Sequence, residues 1–320
     1  MTSAVVFAYH NVGARCLRVL LAHGIRIPLV VTHPDDPHEN SWFEGVADVA
    51  ASYDISTIAP SDPNVGSVVA QARALAPDFL FSFYYRQMLS PALVSVPPRG
   101  ALNMHGSLLP RYRGRAPVNW AVLNGETETG VTLHYMAEKP DAGDIVAQTA
   151  VPILPDDTAR EVLDKVTVAA ELTLDRILPA LLAGTAPRRP MDLGTGTYFS
   201  GRAPEDGHID WSMPATAIHN LVRAVAPPYP GARTAIDGLP ARVLKTRVLT
   251  PHGPPGPPSL RADSAQYVAH CGGGGELLVQ SLEVEGTIIA PSEFARRFGG
   301  SVALSNMVGE GMGPTKPRRS

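Results

Sequence analysis

Cysteine is almost missing from this chain: there are two in 320 residues, Cys16 and Cys271, at opposite ends of the sequence. That excludes a disulfide framework and fits a reducing, cytoplasmic setting. Also missing is any apolar run near the ~20 residues that span a bilayer. The opening Met-Thr-Ser-Ala-Val-Val-Phe-Ala has no basic n-region and reads as a first core strand, not a signal peptide. Positive charge is not in excess: Lys and Arg number 27 against 30 Asp and Glu, a formal net charge of −3. No global field therefore draws in a polyanion, and tRNA is disfavoured as a partner. The basic stretch Lys316-Pro317-Arg318-Arg319 reads as a solvated end.

Several chemical signatures are absent as well. A dinucleotide site wants G-x-G-x-x-G after the first strand, but that turn reads Tyr9-His10-Asn11-Val12-Gly13, with a single glycine. The ten histidines are scattered with no H-x-x-x-H, and no C-x-x-C occurs, so no metal is expected. His33-Pro-Asp-Asp-Pro-His38 reads as a solvated loop, and His134 and His208 as packed or surface histidines. No G-x-S-x-G elbow is present, and Ser107 beside His105 gives no assurance of an activated nucleophile.

What is present is an α/β pattern. Short apolar runs alternate with helical patterns through the first 185 or so residues, the signature of a parallel sheet with crossover helices. Expected strands are Ala4–Ala8, Ile27–Thr32, Phe79–Phe83, Leu102–His105, Val131–Ala137 and Ile145–Ile153; expected helices are Ala14–His23 and Trp42–Ser52. A long helix should start at Thr158, where Thr158-x-x-Glu161 forms a capping box, be kinked or ended by Pro179, and stop at Gly184. Residues 1–186 form the expected catalytic domain and 187–206, rich in Pro and Gly, a linker. Residues 207–305 carry one helix (Ala215–Ala226) and short strands (Ala232–Ile236, Arg242–Leu249, Tyr267–His270, Glu276–Leu282) between Pro/Gly turns, the texture of a small β-barrel or sandwich. Residues 306–320 read as a flexible tail.

The most informative stretch is Asn103-Met-His-Gly-Ser-Leu-Leu-Pro-Arg-Tyr-Arg-Gly-Arg-Ala-Pro117. On a strand ending near His105, Asn103 and His105 leave the same face. The Gly-, Pro- and Arg-rich loop that follows is one a ligand can approach closely. Asp141 lies on a second polar loop tip, 36 positions after His105. An amide donor, an imidazole and a carboxylate suit acyl-type group transfer without a covalent enzyme intermediate.

These residues resemble the 10-formyltetrahydrofolate-dependent formyltransferases. The signature is Asn103-x-His105-x-Ser107-Leu-Leu-Pro110-x-x-Arg113-Gly114-x-x-Pro117, with Asp141-Ala-Gly143-Asp144-Ile145 downstream. Within the family, the chain looks most like the formyltransferase domain of the bifunctional polymyxin-resistance type, which formylates UDP-4-amino-4-deoxy-L-arabinose for lipid A modification. The segments that carry this likeness are 5–13, 32–40, 81–86, Asn119-Trp120, 124–134 and 222–225. The resemblance implies a Rossmann-like N-terminal domain and a smaller OB-like C-terminal one. It implies His105 as proton carrier, Asn103 as oxyanion stabiliser and Asp141 as the carboxylate that keeps the histidine basic. It places folate contacts on Gln87, Met88 and Leu89, on Arg115, and on Ala137, Glu138, Lys139, Pro140 and Asp141. The oxidative decarboxylase that accompanies such a domain has no counterpart here, so a separate protein performs that step or the amino sugar differs. Tyr198–Arg202, Asp210-Trp211 and Pro227–Pro230 read either as a wall for the base and pyrophosphate of the nucleotide-linked amino sugar or, equally, as interdomain packing. Arg202 is the first choice for a phosphate contact, with Trp211 beside it. The tRNA-formylating branch carries a basic insertion where this chain has the acidic 33–40 segment, which weakens phosphate neutralisation there.

Overall fold

The computed structural model describes residues 1–34 and 44–306. The N-terminal half runs β1 (Ser3–Ala8), α1 (His10–Ala22), β2 (Arg26–Val31), α2 (Val46–Ala51), β3 (Thr57–Ile58), α3 (Gly66–Ala74), β4 (Phe79–Phe83), α4 (Pro91–Val94) and β5 (Ala101–His105). After these come β6 (Arg113–Gly114), α5 (Pro117–Leu123), β7 (Glu128–Tyr135), β8 (Ile145–Pro152) and α6 (Ala159–Ala183). The C-terminal half contains β9 (Tyr198–Phe199), α7 (Ala215–Val225), β10 (Ala232–Ile236), β11 (Leu239–Thr250), β12 (Ser259–Ala262), β13 (Tyr267–His270), β14 (Glu276–Val284), β15 (Thr287–Ile288), α8 (Pro291–Phe298) and β16 (Ser301–Ala303).

The first sheet has the order β3-β2-β1-β4-β5-β7-β8. Strand β1 is buried along its whole length, as a strand covered on both faces must be. Ala4, Val6 and Ala8 join Phe79, Phe81 and Phe83 under α1, α5 and α6, whereas Val5 and Phe7 face a smaller cluster with Leu80 and Leu93 on the other side of the sheet. The five strands β1 to β5 are parallel, but β7 runs antiparallel to β5, and β8 antiparallel to β7. The expected parallel sheet is present in these five strands and carries an antiparallel edge that the sequence does not reveal: apolar runs mark strands but carry no direction. The 53–78 region, unassigned from the sequence, supplies β3 and α3.

The capping box forms as expected, with the Glu161 N–H donating to Thr158 Oγ1 (3.3 Å) and the Thr158 N–H to Glu161 Oε2 (2.8 Å). Pro179 does not end α6, which runs on to Ala183 and closes on Gly184 at φ +73°. Pro179 sits on the exposed side, where water can satisfy the carbonyl it leaves without a donor. The expected Trp42–Ser52 helix is shorter, starting at Val46, and Trp42 lies outside the described residues. So do residues 35–40 of the acidic loop and residues 307–320 of the tail.

The second core gathers Trp211, Ile218, Val222, Ala269, Leu277, Val279, Leu282 and Phe294. It fills an antiparallel sheet of order β10-β11-β14-β13-β12-β16, with β15 on β14. Register shifts between Val243 and Lys245, Lys245 and Thr246, and Val248 and Thr250 bend the long β11, since a bulge raises local twist. The expected OB-like β domain is thus a curled antiparallel sheet.

Candidate active site

Ligands of open α/β sheets bind beyond the carboxyl ends of the strands, where the strand order reverses. In this sheet that point lies between β1 and β4. The chain leaving β1 (Tyr9, His10), the chain leaving β4 (Tyr84 to Leu89) and the end of β5 (Asn103 to Gly106) all border one cleft of about 930 Å³. Arg115 to Asn119, Met136, Ala137, Pro140 and Asp141 complete its N-terminal wall. Tyr198, Gly201 to Pro204 and Tyr229 to Gly231, with Arg233, close it from the other side.

Asn103 and His105 come to the cleft through β5. Leu102 and Met104 point into the first core while Ala101 points into the smaller cluster on the other side of the sheet, so Asn103 and His105 share the Ala101 face. His105 is buried, 6 % exposed. Its Nε2 lies 2.8 Å from the Tyr112 carbonyl and must donate to it, since a carbonyl only accepts. Nδ1 is then the nitrogen left to exchange a proton, 3.5 Å from Asp141 Oδ1. The loop after β5 is pinned from within. Ser107 is fully buried and donates to the Arg111 carbonyl (2.6 Å), Thr132 Oγ1 donates to the Ser107 carbonyl (2.7 Å), and Gln148 donates to the Leu109 carbonyl (2.9 Å).

Asp141 stands at a left-handed position (φ +49°) on the β7–β8 connection. Gly143, two residues on, lets that connection fold against β7, because a Cβ there would sit 2.0 Å from the Tyr135 carbonyl oxygen. The carboxylate has two jobs. Oδ2 accepts the Gly114 N–H at 2.9 Å. Oδ1 is ringed by three nitrogens: Asn103 Nδ2 at 3.4 Å, His105 Nδ1 at 3.5 Å and His134 Nε2 at 3.6 Å. Burial alone would raise the carboxyl's pKa. The charge of His105 and the Gly114 N–H act against it, and Asp141 is held well below the usual carboxylate range.

Gln87, Met88, Leu89, Arg115, Ala137 and Pro140 line the cleft with Asp141, whereas Glu138 and Lys139 are exposed and do not. Arg202 also lines it, with its guanidinium 5.2 Å from the Trp120 ring centroid and Nη2 donating to the Asp206 carbonyl. Burial pushes the pKa of this guanidinium down. Trp211 does not reach the cleft. It is 1 % exposed in the second core and donates Nε1–H to Thr234 Oγ1 at 2.8 Å, so its assignment to a substrate is corrected: its indole N–H already has a buried partner.

His134, expected to be a packed or surface histidine, is 1 % exposed and belongs to the cluster. The β5–β7 register sets Asn103 opposite His134. The alternation of 131–137 could have placed it on the inward face, but only the pairing direction shows what it meets. Tyr84, whose buried hydroxyl has no partner among the described residues, also lines the cleft without having been anticipated.

Two family models cover most of the chain: residues 8–178 match Formyl transferase, and residues 202–299 match Formyl transferase, C-terminal domain. The chain belongs to the formyl transferase family and is an enzyme of that class. Among solved structures it resembles the N-formyltransferase from Helicobacter canadensis in complex with folinic acid and dTDP-3-aminofucose. The TM-score is 0.72 at 20% identity, over 88% of this chain and 99% of that one. WlaRD, a sugar 3N-formyl transferase crystallised with dTDP and 5-N-formyl-THF, gives a TM-score of 0.69 at 18% identity, over 90% and 99%. HypX from Aquifex aeolicus shares the fold over 93% of this chain but 47% of its own, with a TM-score of 0.62 at 16% identity. No helix among the described residues is long and apolar enough to cross a membrane.

Proposed function

We propose that the enzyme transfers the formyl group of 10-formyltetrahydrofolate to the amine of a nucleotide-linked amino sugar. The observation that carries this reading is the cluster of Asn103, His105 and Asp141 within one cleft walled by both halves of the chain. The cleft suits the co-substrate. Met88, Leu89, Val94 and Met136 offer apolar surface to a flat heterocycle, Arg115 suits an anionic tail, and Gln87 Oε1 is buried without a partner among the described residues. Gln87, Met88, Leu89, Arg115, Ala137, Pro140 and Asp141 would hold it, and bound there it supplies an activated formyl carbon.

The chain's own groups then act on the amine. His105 accepts at Nδ1 the proton that the attacking amine loses, and returns it to the nitrogen that leaves. Asp141 stabilises the imidazolium formed in between. Asn103 turns an amide N–H toward the formyl oxygen as charge builds there. Its present contact with Asp141, at 3.4 Å, is long enough for a nearer oxyanion to displace.

For the acceptor, we put UDP-4-amino-4-deoxy-L-arabinose first, on the likeness of segments 5–13, 81–86 and 124–134 to enzymes of that specificity. Lipid A modification and polymyxin resistance would be the setting. A dTDP-linked amino sugar is the second reading, favoured by the dTDP-3-aminofucose held by the Helicobacter canadensis relative. With a net charge of −3, charged initiator tRNA is a poor fit. Incubation with 10-formyltetrahydrofolate and a panel of UDP- and dTDP-linked amino sugars, scored by gain of one CO on the acceptor, tests the proposal. Formylation of initiator methionyl-tRNA and none of the sugars would overturn it.

A further inference from the structure

His134 is spent on neither packing alone nor solvent. Its Nδ1 lies 2.8 Å from the Tyr135 carbonyl and must donate to it, so in the neutral ring Nε2 carries a lone pair and can only accept. Asn103 Nδ2 stands 3.2 Å from that lone pair. In the neutral ring the direction of the bond is therefore set, amide N–H to imidazole nitrogen; the other group near Nε2, the Asp141 carboxylate Oδ1 at 3.6 Å, has no proton to offer it. A carboxamide end is nearly symmetric about its last torsion, and sterics alone do not distinguish Oδ1 from Nδ2. An acceptor on one side does. With Nδ2 on His134, the amide hydrogens also face Asp141 Oδ1, the oxygen that His105 Nδ1 approaches. With the amide reversed, Oδ1 would meet a lone pair on His134 and a negative oxygen on Asp141, both repulsive.

We propose that His134 is a positioning residue that holds Asn103 in the one amide orientation keeping its N–H groups in the same corner as His105 Nδ1. The two histidines are then held in opposite tautomers, Nδ1–H for His134 and Nε2–H for His105, each selected by a backbone carbonyl, of Tyr135 and Tyr112 respectively. The inference rests on the role proposed above for Asn103 but not on which acceptor is used.

Two isosteric halves of the ring separate positioning from structure. His134→Asn keeps a donor near Nδ1 for Tyr135 and nothing near Nε2, whereas His134→Gln reaches the Nε2 position with an amide that can accept from Asn103. We expect kcat in His134→Asn to fall about 10- to 100-fold with KM for both substrates little changed, the size of one misdirected buried hydrogen bond. We expect His134→Gln to recover most of that loss. Equal losses in the two variants, or a change confined to KM, would overturn the proposal. A readout without turnover is available from nitrogen-15 histidine spectra of the intact protein, assigned with both variants. They should show the Nδ1–H tautomer for His134 and Nε2–H for His105, and finding His134 as Nε2–H would equally overturn it. If no acceptor in the panel is formylated, the acceptor reading fails while the tautomer result still decides this one.

Discussion

Replacing Asp141 by asparagine removes one negative charge and almost no volume, and an amide oxygen can still accept the Gly114 N–H. The loss falls on His105. At 3.5 Å between Oδ1 and Nδ1 and an effective dielectric of about 20, the attraction between carboxylate and imidazolium is about 5 kcal/mol. If half the proton charge has arrived at the transition state, about 2–3 kcal/mol is forfeited, a fall of roughly 100-fold in kcat. Full development raises the fall toward ~10³-fold. The assay is initial rate against both substrates at neutral pH, with kcat and KM separated and circular dichroism to verify the fold. A variant turning over within a few-fold of the wild type would refute the reasoning, because no other carboxylate among the described residues lies within 4 Å of His105. A linked effect appears in stability. Since the folded carboxyl titrates below its unfolded value of about 3.9, its contribution is present above that pH and is lost as pH falls below it. Asp141→Asn should therefore be less stable than wild type near neutrality, and the gap in denaturation midpoint should close in acid; a gap independent of pH would contradict the assignment.

Four further outcomes are expected. Asn103→Ala should lower kcat by ~10²–10³-fold, as for loss of an oxyanion donor, and His105→Ala by at least ~100-fold, with the fold of both intact. Gly114→Ala forces a Cβ to 2.1 Å from the Phe199 carbonyl oxygen at φ +96°, so it should cost at least about 2 kcal/mol in chemical denaturation and slow turnover by shifting the N–H off Asp141. Trp211→Phe should cost about 1–3 kcal/mol of stability by stranding Thr234 Oγ1, yet leave KM for the acceptor unchanged; a raised KM would return Trp211 to the site.

Much of this was legible in the residues because it is local. The capping box at Thr158 and Glu161, the burial of β1 and the shared face of Asn103 and His105 all follow from spacings of two to four residues. What escaped depends on pairing at long range. His134 joins the site only because β7 runs antiparallel to β5, and strand direction leaves no trace in an apolar run. Trp211 beside Asp210 reads equally as a substrate wall or as packing, and only the fold decides for packing, with its ring enclosed in the second core. Helix α3 leaves no signature because Val68, Val69 and Ala72 are too few to set a helical stripe.

The two-residue pairing of β6 with β9 sets Arg113 against Tyr198 and Gly114 against Phe199. Gly114 is the residue whose N–H holds Asp141, so the segment joining the two halves of the chain is stitched to the Asp141 carboxylate. The chemistry therefore does not end where the first domain's sequence pattern does. A fragment cut at residue 186 would retain every atom of Asn103, His105 and Asp141, but would lose Phe199 and Ala224 from its hydrophobic core and the strand that props the Asp141 latch in place. Modular exchange of the C-terminal half, as in building chimaeras to change acceptor, should cross over after Arg202 and carry β9 with the host.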